Sequence, residues 1–218
     1  MDGQLTYKIY LPRNIKEGEK YPVIYAMHGM GSDEEDILSL IGELKNDFIL
    51  IGIRGSIIQG RGFAYFSIKG YGNPDRESFD KAVKSLEEFI HNAAVAYPID
   101  NNRQYLLGFS QGSILSMSLA LVMGNKVKGI AALSGYIPRF VKEEYKIKSV
   151  EDVSVFISHG EFDPIFPLDI GKDNYEFFRE RSRNVIFKTY PSGHEVSLKN
   201  INDVIRWLND ERQKEVKK

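Results

Sequence analysis

The segment Gly108-Phe109-Ser110-Gln111-Gly112 constrains the fold of this chain more than any other. It follows the apolar residues 105–107 and precedes a second apolar run at residues 114–123. A strand, a glycine-flanked turn and a helix in that order are typical of a turn that raises a serine hydroxyl above the C-terminal edge of a sheet. The backbone of such a turn is crowded, so its flanking positions favour glycine, which has no Cβ. The sequence therefore predicts a strand–turn–helix unit with Ser110 at the turn.

A serine in this setting is a candidate nucleophile, and it needs a histidine base that follows it in the chain. Of the four histidines, only His159 and His194 come after Ser110. His159 ends a strand-like run, whereas His194 lies in a turn-rich segment before the last predicted helix. A base must reach over the serine from a loop, so we expect His194 to be the base.

The acid of such a triad should lie between the serine and the histidine, on the loop after the penultimate strand. Asp163 fits, and Pro164 biases its backbone toward an extended conformation. Its role would be to hold the tautomer of His194 and to stabilise the imidazolium. The alternatives are three acidic residues of the same region, of which the last two resemble the start of a helix: Glu161, Asp169 and Asp173.

Two backbone N–H groups should stabilise the negative charge that develops on a substrate oxygen. One is expected from Gln111, directly after the serine, and the other from the loop His28-Gly29-Met30-Gly31 after an early strand. We expect Met30 to supply the second group, with either neighbouring glycine as the alternative. His28 is expected to brace this loop rather than to take part in the chemistry.

Strands and helices alternate along the chain, which predicts a mostly parallel sheet with helices on both faces, an α/β fold. The helices are expected to begin at a capping-box pattern at residues 32–35, near Phe79, after Ser110 and near Leu198. Residues 134–152 are too few for a large cap, and the length suits one domain, 1–218. The predicted strands are residues 5–11, 23–27, 48–53, 105–109, 127–133, 153–158 and 185–189.

Composition excludes several classes of protein. The net charge of −1 and the lack of a basic patch argue against nucleic acid as a partner. Without cysteine there are no disulfides and no thiolate metal sites, and no paired histidine spacing suggests another metal site. The segment 29–34 lacks the third glycine of a dinucleotide fingerprint, because position 34 is glutamate, and Asp33, Glu34 and Glu35 place negative charge where a phosphate would bind. We find neither a signal peptide nor a membrane-spanning run, so we expect a cytoplasmic protein without stable membrane insertion.

Residues 60–72 are unusually rich in aromatic side chains. Together with two apolar residues after Asp163, these side chains would line a substrate pocket, or they would simply pack the loop onto the domain. The sequence leaves both interpretations open. The six candidates are Phe63, Tyr65, Phe66, Tyr71, Ile165 and Phe166.

Taken together, these motifs resemble the α/β-hydrolase superfamily, and within it the small carboxylesterase/phospholipase group that includes the acyl-protein thioesterases. The resemblance covers nearly the whole chain from about Leu5. It implies an α/β-hydrolase fold, no cofactor and a possible homodimer. It also implies the same roles for the residues chosen above: Ser110, Asp163 and His194 as the triad, with Met30 and Gln111 as oxyanion donors.

The expected function is that of a serine carboxylesterase acting on small to medium acyl esters through an acyl-enzyme. An acyl-thioesterase, an acyltransferase or a serine peptidase would use the same residues. The non-enzyme alternative is a ligand-binding protein on a hydrolase scaffold, since a fold does not fix a function. Such a protein often lacks a triad member, whereas all three candidates are present here.

Overall fold

A seven-stranded sheet forms the centre of the computed structural model, which describes residues 5–216. The strand order is β1-β3-β2-β6-β7-β8-β9, and every neighbouring pair is parallel except β1 and β3. This confirms the predicted mostly parallel sheet. The strands are β1 (Tyr7–Tyr10), β2 (Tyr21–Met27), β3 (Ile49–Ile53), β4 (Ile57–Gln59), β5 (Gly62–Ala64), β6 (Ile99–Phe109), β7 (Gly129–Leu133), β8 (Ser154–Gly160) and β9 (Val185–Tyr190).

Helices cover both faces of this sheet, as the alternation of elements predicts. Apolar side chains of α2 to α5 pack on one face, and those of α1 and α6 pack on the other. Since the central strands are buried on both sides, they read in the sequence as nearly continuous apolar runs. The helices are α1 (Glu34–Leu40), α2 (Arg76–Ala96), α3 (Gln111–Met123), α4 (Arg139–Glu144), α5 (Leu168–Arg179) and α6 (Leu198–Val216).

Several boundaries differ from the prediction. The strand β6 begins at Ile99 rather than at residue 105. Its first half was not predicted because that half is mostly polar and partly exposed. The residue that caps α1 is Asp33 rather than Ser32, and its carboxylate accepts the N–H groups of Glu35 and Asp36. That helix stops at Leu40, and a 3₁₀ turn follows although the apolar spacing continues. The sequence analysis missed the hairpin β4–β5 and the short helix α4.

In the part of the chain described here, the connection between β7 and β8 forms no large cap over the C-terminal edge of the sheet. That connection contains α4, which has six residues, and otherwise irregular backbone. Within residues 5–216, no helix is both long enough and apolar enough to cross a bilayer.

Candidate active site

Ser110 lies at the turn between β6 and α3, in a backbone conformation that few residues adopt. Its φ is +53° and its ψ is −114°, a strained combination for a residue with a side chain. The flanking glycines make this turn possible. A Cβ on Gly108 would lie 2.0 Å from the carbonyl oxygen of Gly112, and one on Gly112 would lie 1.9 Å from that of Met27. The turn therefore tolerates no side chain at either glycine.

The structure brings the three predicted triad residues together at the C-terminal edge of the sheet. The Ser110 hydroxyl donates to His194 Nε2 at 2.9 Å, and His194 Nδ1 donates to Asp163 Oδ2 at 2.7 Å. The imidazole ring packs near two aromatic rings, with centroid distances of 5.1 Å to Phe109 and 5.3 Å to Phe166. These contacts fix the ring between the hydroxyl and the carboxylate.

The Asp163 carboxylate is fully buried and is held by backbone groups of its own turn. Its Oδ1 accepts the N–H groups of Ile165 and Phe166, each at 2.8 Å. Since Oδ1 is occupied, Oδ2 is the oxygen that faces His194. A carboxylate at Nδ1 selects the tautomer in which Nε2 is unprotonated, so that Nε2 can accept the hydroxyl proton of a serine.

His159, the other histidine after Ser110, does not face the serine. It is fully buried at the end of β8, and its Nε2 donates to the carbonyl of Phe166 at 2.7 Å. The same nitrogen lies 3.7 Å from Asp163 Oδ2. His159 therefore supports the turn that carries the carboxylate, in agreement with the preference for His194 as the base.

The other acidic residues considered in the sequence do not approach the serine. Glu161 is exposed and accepts a hydrogen bond from the Thr189 hydroxyl at 2.8 Å. Asp169 and Asp173 lie at exposed positions of α5, where Asp169 pairs with Lys172 at 2.8 Å. Asp163 is thus the acidic residue that contacts His194.

The two proposed oxyanion donors lie on neighbouring elements beside Ser110. The Gln111 amide opens α3, and the Met30 amide belongs to the loop after β2. Within residues 5–216, neither amide takes part in a backbone hydrogen bond of a turn, loop or cap. By contrast, the amide of Gly31, which was an alternative donor, already donates to the carbonyl of Phe63 at 2.8 Å. The amides of Met30 and Gln111 are therefore available to a substrate oxygen, as is the amide of Gly29, the other alternative donor.

His28 braces the loop that carries Met30, as the sequence predicts. Its Nδ1 donates to the Gly29 carbonyl at 2.7 Å, and its Nε2 accepts the Gly55 amide at 3.0 Å. Burial lowers the pKa of His28 and so favours this neutral ring. The Gly29 carbonyl and the Met30 N–H point in opposite directions from one planar trans peptide. By holding the carbonyl, His28 fixes the direction of the Met30 N–H.

An apolar cavity of about 160 Å³ opens beside Ser110 and His194. Four of the six predicted pocket residues line it, namely Phe66, Tyr71, Ile165 and Phe166. Besides Ser110 and His194, five segments build the cavity: the loop after β2, the aromatic loop of residues 60–72, the first turns of α3, the connection after β7 and the turn after Asp163. The remaining lining residues are Met30, Ile68, Gly72, Gln111, Ile114 and Tyr136.

Phe63 and Tyr65 were candidates for lining this pocket, and the structure places both elsewhere. Phe63 lies under the guanidinium of Arg54, which is 4.5 Å from the ring centroid. Tyr65 is buried, and its hydroxyl bonds to the backbone of His28 and Ile53. Both aromatic residues therefore support the fold around the site instead of contacting the cavity.

Three apolar lining residues were not found by the sequence analysis. Ile114 lies one helical turn after Ser110, so the helical spacing contained a usable signal. Ile68 and Tyr136 come from irregular segments, and their spacing carries no comparable signal. Long-range contacts decide which of these side chains face the cavity.

Metal-ligating side chains are not grouped near this cavity. Among residues 5–216, the structure contains no cluster of three or more histidine, aspartate or glutamate side chains that could hold a metal ion.

Comparison with known proteins identifies relatives of this chain. Acyl-protein thioesterase 1 of Debaryomyces hansenii is 31% identical over 155 residues, which are 67% of this chain and 66% of that protein. Acyl-protein thioesterase 1 of Candida albicans is 32% identical over 155 residues, which are 66% of this chain and 67% of that protein. The matched part thus spans about two thirds of each relative.

The fold has close counterparts among solved structures. The crystal structure of the Bacillus cereus carboxylesterase superposes with a TM-score of 0.84 at 22% identity, covering 95% of this chain and 94% of that chain. The family model of the phospholipases and carboxylesterases matches residues 14–211. The chain therefore belongs to the phospholipase/carboxylesterase family, within the α/β-hydrolase fold, and is a hydrolase.

Proposed function

We propose that this protein is a serine carboxylesterase that hydrolyses small to medium acyl esters through an acyl-enzyme. The observation that carries the proposal is the chain of hydrogen bonds from Ser110 through His194 to Asp163 beside an apolar cavity. The family match supports a hydrolase, and the short β7–β8 connection, which forms no large cap within residues 5–216, supports access by small substrates.

In the first half of the reaction, Ser110 Oγ attacks the ester carbonyl carbon while His194 Nε2 takes the hydroxyl proton. The carbonyl oxygen becomes negative and accepts the N–H groups of Met30 and Gln111. Because Gln111 opens α3, the positive end of that helix dipole favours the same charge. The Asp163 carboxylate stabilises the imidazolium. His194 then gives its proton to the leaving alcohol, and the acyl group remains on Ser110.

In the second half, His194 removes a proton from water, and the resulting hydroxide attacks the acyl carbon. The same two amides stabilise the second oxyanion. When this intermediate collapses, the carboxylate product leaves and Ser110 regains its proton from His194. One water is consumed, and one alcohol and one carboxylic acid are released.

A thioesterase is the second candidate, because the relatives from Debaryomyces hansenii and Candida albicans are acyl-protein thioesterases by name. The same residues would cleave a thioester, with the thiol as leaving group. Hydrolysis of p-nitrophenyl butyrate and of butyryl-coenzyme A at equal concentration separates the two, since the acyl group is identical and the leaving groups differ.

The deciding experiment compares the wild type with Ser110→Ala on p-nitrophenyl esters of increasing acyl length. We expect turnover by the wild type that vanishes in the variant, together with labelling of Ser110 by a fluorophosphonate. Labelling without turnover of any ester or thioester would indicate a peptidase or a narrower substrate range. Neither labelling nor turnover by the folded protein would favour a binding protein on this scaffold and would refute the proposal.

The remaining properties follow from the resemblance and the charge, and they are part of the proposal. We infer a homodimer, a cytoplasmic location and no nucleic-acid partner, the last supported by the net charge of −1. Sedimentation equilibrium tests the dimer, cell fractionation tests the location, and a mobility-shift assay with duplex DNA tests the exclusion of nucleic acid.

A further inference from the structure

Tyr65 and the side chain of Gln111 connect the two loops that would hold a substrate oxygen. We propose that these two side chains form a strut that positions the oxyanion donors Met30 and Gln111 relative to each other. This inference rests on the proposed esterase function. It makes Tyr65 a positioning residue, which acts on the reaction through the backbone that it holds and not by touching the substrate.

The first half of the strut is the Gln111 side chain, which is buried. Its Oε1 accepts the Tyr65 amide at 3.0 Å, and its Nε2 donates to the Phe66 carbonyl at 2.8 Å. The side-chain amide therefore pairs with two backbone groups of the 65–66 segment, much as a neighbouring strand would. One residue thus supplies a backbone donor to the site and a side-chain anchor for the segment beside it.

The second half is the Tyr65 hydroxyl. It donates to the Ile53 carbonyl at 2.5 Å and accepts the His28 amide at 3.0 Å. The ring also packs against His28, with centroids 4.7 Å apart. Because His28 fixes the Gly29 carbonyl, consecutive hydrogen bonds lead from Gln111 to the peptide that carries the Met30 N–H.

The strut matters because the two donors come from different elements and must meet at one oxygen, each about 2.7–3.1 Å away. One direct link already joins these elements, since the Gly112 amide donates to the His28 carbonyl at 3.1 Å. The pairing of β2 with β6 also runs to Met27 and Gly108, directly before the loop and the turn. The Tyr65 hydroxyl binds the amide of His28 and so adds a hydrogen bond at the residue whose ring holds the Gly29 carbonyl.

The chemistry of the hydroxyl suits this task. Burial raises the pKa of Tyr65, so the phenol stays protonated and can donate to Ile53 throughout the range in which the enzyme would work. Its two partners are backbone groups at the ends of β3 and β2. Removing the hydroxyl leaves the His28 amide buried without that partner, which favours a shift of the loop.

The test compares Tyr65→Phe with Tyr25→Phe, a matched control on β2. Tyr25 is also fully buried, and its hydroxyl also has two contacts, the Ile90 carbonyl at 3.3 Å and Gln104 Oε1 at 3.1 Å. Each variant therefore removes one buried hydroxyl with two partners, and only Tyr65 belongs to the strut. The readouts are kcat and KM for p-nitrophenyl butyrate, the inhibition constant of butylboronic acid and the Tm.

We expect Tyr65→Phe to lower kcat by about tenfold or more with little change in KM, since a misplaced donor weakens the transition state selectively. The boronic acid, which forms a tetrahedral adduct on a serine, should bind more weakly by a similar factor. Tyr25→Phe should lower the Tm comparably and leave kcat within about twofold. Equal kcat values in the two variants, or an unchanged boronic acid constant in Tyr65→Phe, would overturn the proposal.

Gln111→Met provides a second variant, because it keeps the backbone N–H and the length of the side chain while removing both side-chain hydrogen bonds. If the strut acts as one unit, the double variant with Tyr65→Phe should lose less kcat than the product of the two single losses. A fully multiplicative loss would show that the two side chains act independently. A wild type with neither turnover nor labelling of Ser110 would refute the esterase function itself. The strut is refuted only when the wild type is active and Tyr65→Phe gives one of the contrary results named above.

Discussion

The size of the cavity beside Ser110 predicts which acyl chains the enzyme prefers. A group the size of a water molecule occupies about 30 Å³. The cavity of about 160 Å³ therefore holds roughly five non-hydrogen groups. Acyl chains of about four to six carbons should fill it. Burial of one methylene contributes about 0.8 kcal/mol, a factor of about four in kcat/KM. From acetyl to hexanoyl, four methylenes should therefore raise kcat/KM by roughly 200-fold, after which it should level or fall.

Phe66→Leu is the perturbation that tests this relation. Phe66 is fully buried, lines the cavity and packs edge-on against Phe79 at 4.9 Å between ring centroids. The smaller leucine should open room for about one more methylene and raise the octanoyl-to-hexanoyl ratio of kcat/KM up to about fourfold. Phe156→Leu is the matched control, because Phe156 is equally buried but packs against Trp207 on the opposite face of the sheet.

The assay is kcat/KM for p-nitrophenyl esters with acyl chains from acetyl to dodecanoyl, measured for the wild type and both variants. Both substitutions should lower the Tm, since each removes buried apolar volume, and only Phe66→Leu should change the chain-length profile. A wild-type rate that still rises at dodecanoyl would refute the reasoning from cavity volume. An equal change of profile in the two variants would show that Phe66 does not set the length of the pocket.

Three further substitutions should each change kcat or Tm in a defined direction. Asp163→Asn should lower kcat by about 10⁴-fold with a small change in Tm, because an amide favours the wrong tautomer of His194. Gly112→Ala should lower the Tm strongly, since its Cβ would lie 1.9 Å from a backbone carbonyl oxygen, whereas Gly42→Ala, which meets open space, should not. Burial lowers the pKa of His28 in the folded protein. As the pH falls through about 6.5, the histidine is therefore protonated in the unfolded chain before it is protonated in the folded one, and the free energy of unfolding decreases. His28→Asn should therefore flatten the fall of Tm from about pH 7 to pH 5, and an unchanged slope would contradict this linkage.

The positions of Ser110, Asp163 and His194 could be predicted because each follows the end of a strand in one parallel sheet. The C-terminal ends of β6, β8 and β9 lie along the same edge, so the chain order of the strands sets the order of the residues. The strand–turn–helix pattern around Ser110 was readable because steric crowding at the turn demands glycine. Local rules and one topological rule were therefore enough for this part of the site.

The pocket could be predicted only in part, because side-chain direction in an irregular loop depends on distant contacts. Phe66 faces the cavity, whereas its neighbour Tyr65 points away and bonds to His28. Both are aromatic, and no periodicity over residues 65–72 separates them. Tyr136 reaches the cavity from the connection after β7, far along the chain from the aromatic loop. Such a meeting of segments is a property of the packed fold and not of any local pattern.

This division between strand ends and loops has a consequence for how the enzyme can change. The strained backbone of Ser110 persists because close contacts at Gly108 and Gly112 leave it no alternative, so the reacting geometry is fixed by the rigid sheet. The cavity walls come mainly from residues 66–72 and 165–166, and only the second of these segments also holds the triad, through Asp163 and His194. Substitutions of the lining side chains of residues 66–72 should therefore alter the preferred acyl group while leaving the reaction at Ser110 intact. Tyr65 is the exception, since it lies in the same loop but is attached to the segments that carry the oxyanion donors. A substitution of Tyr65 should therefore lower kcat without changing the preferred acyl length.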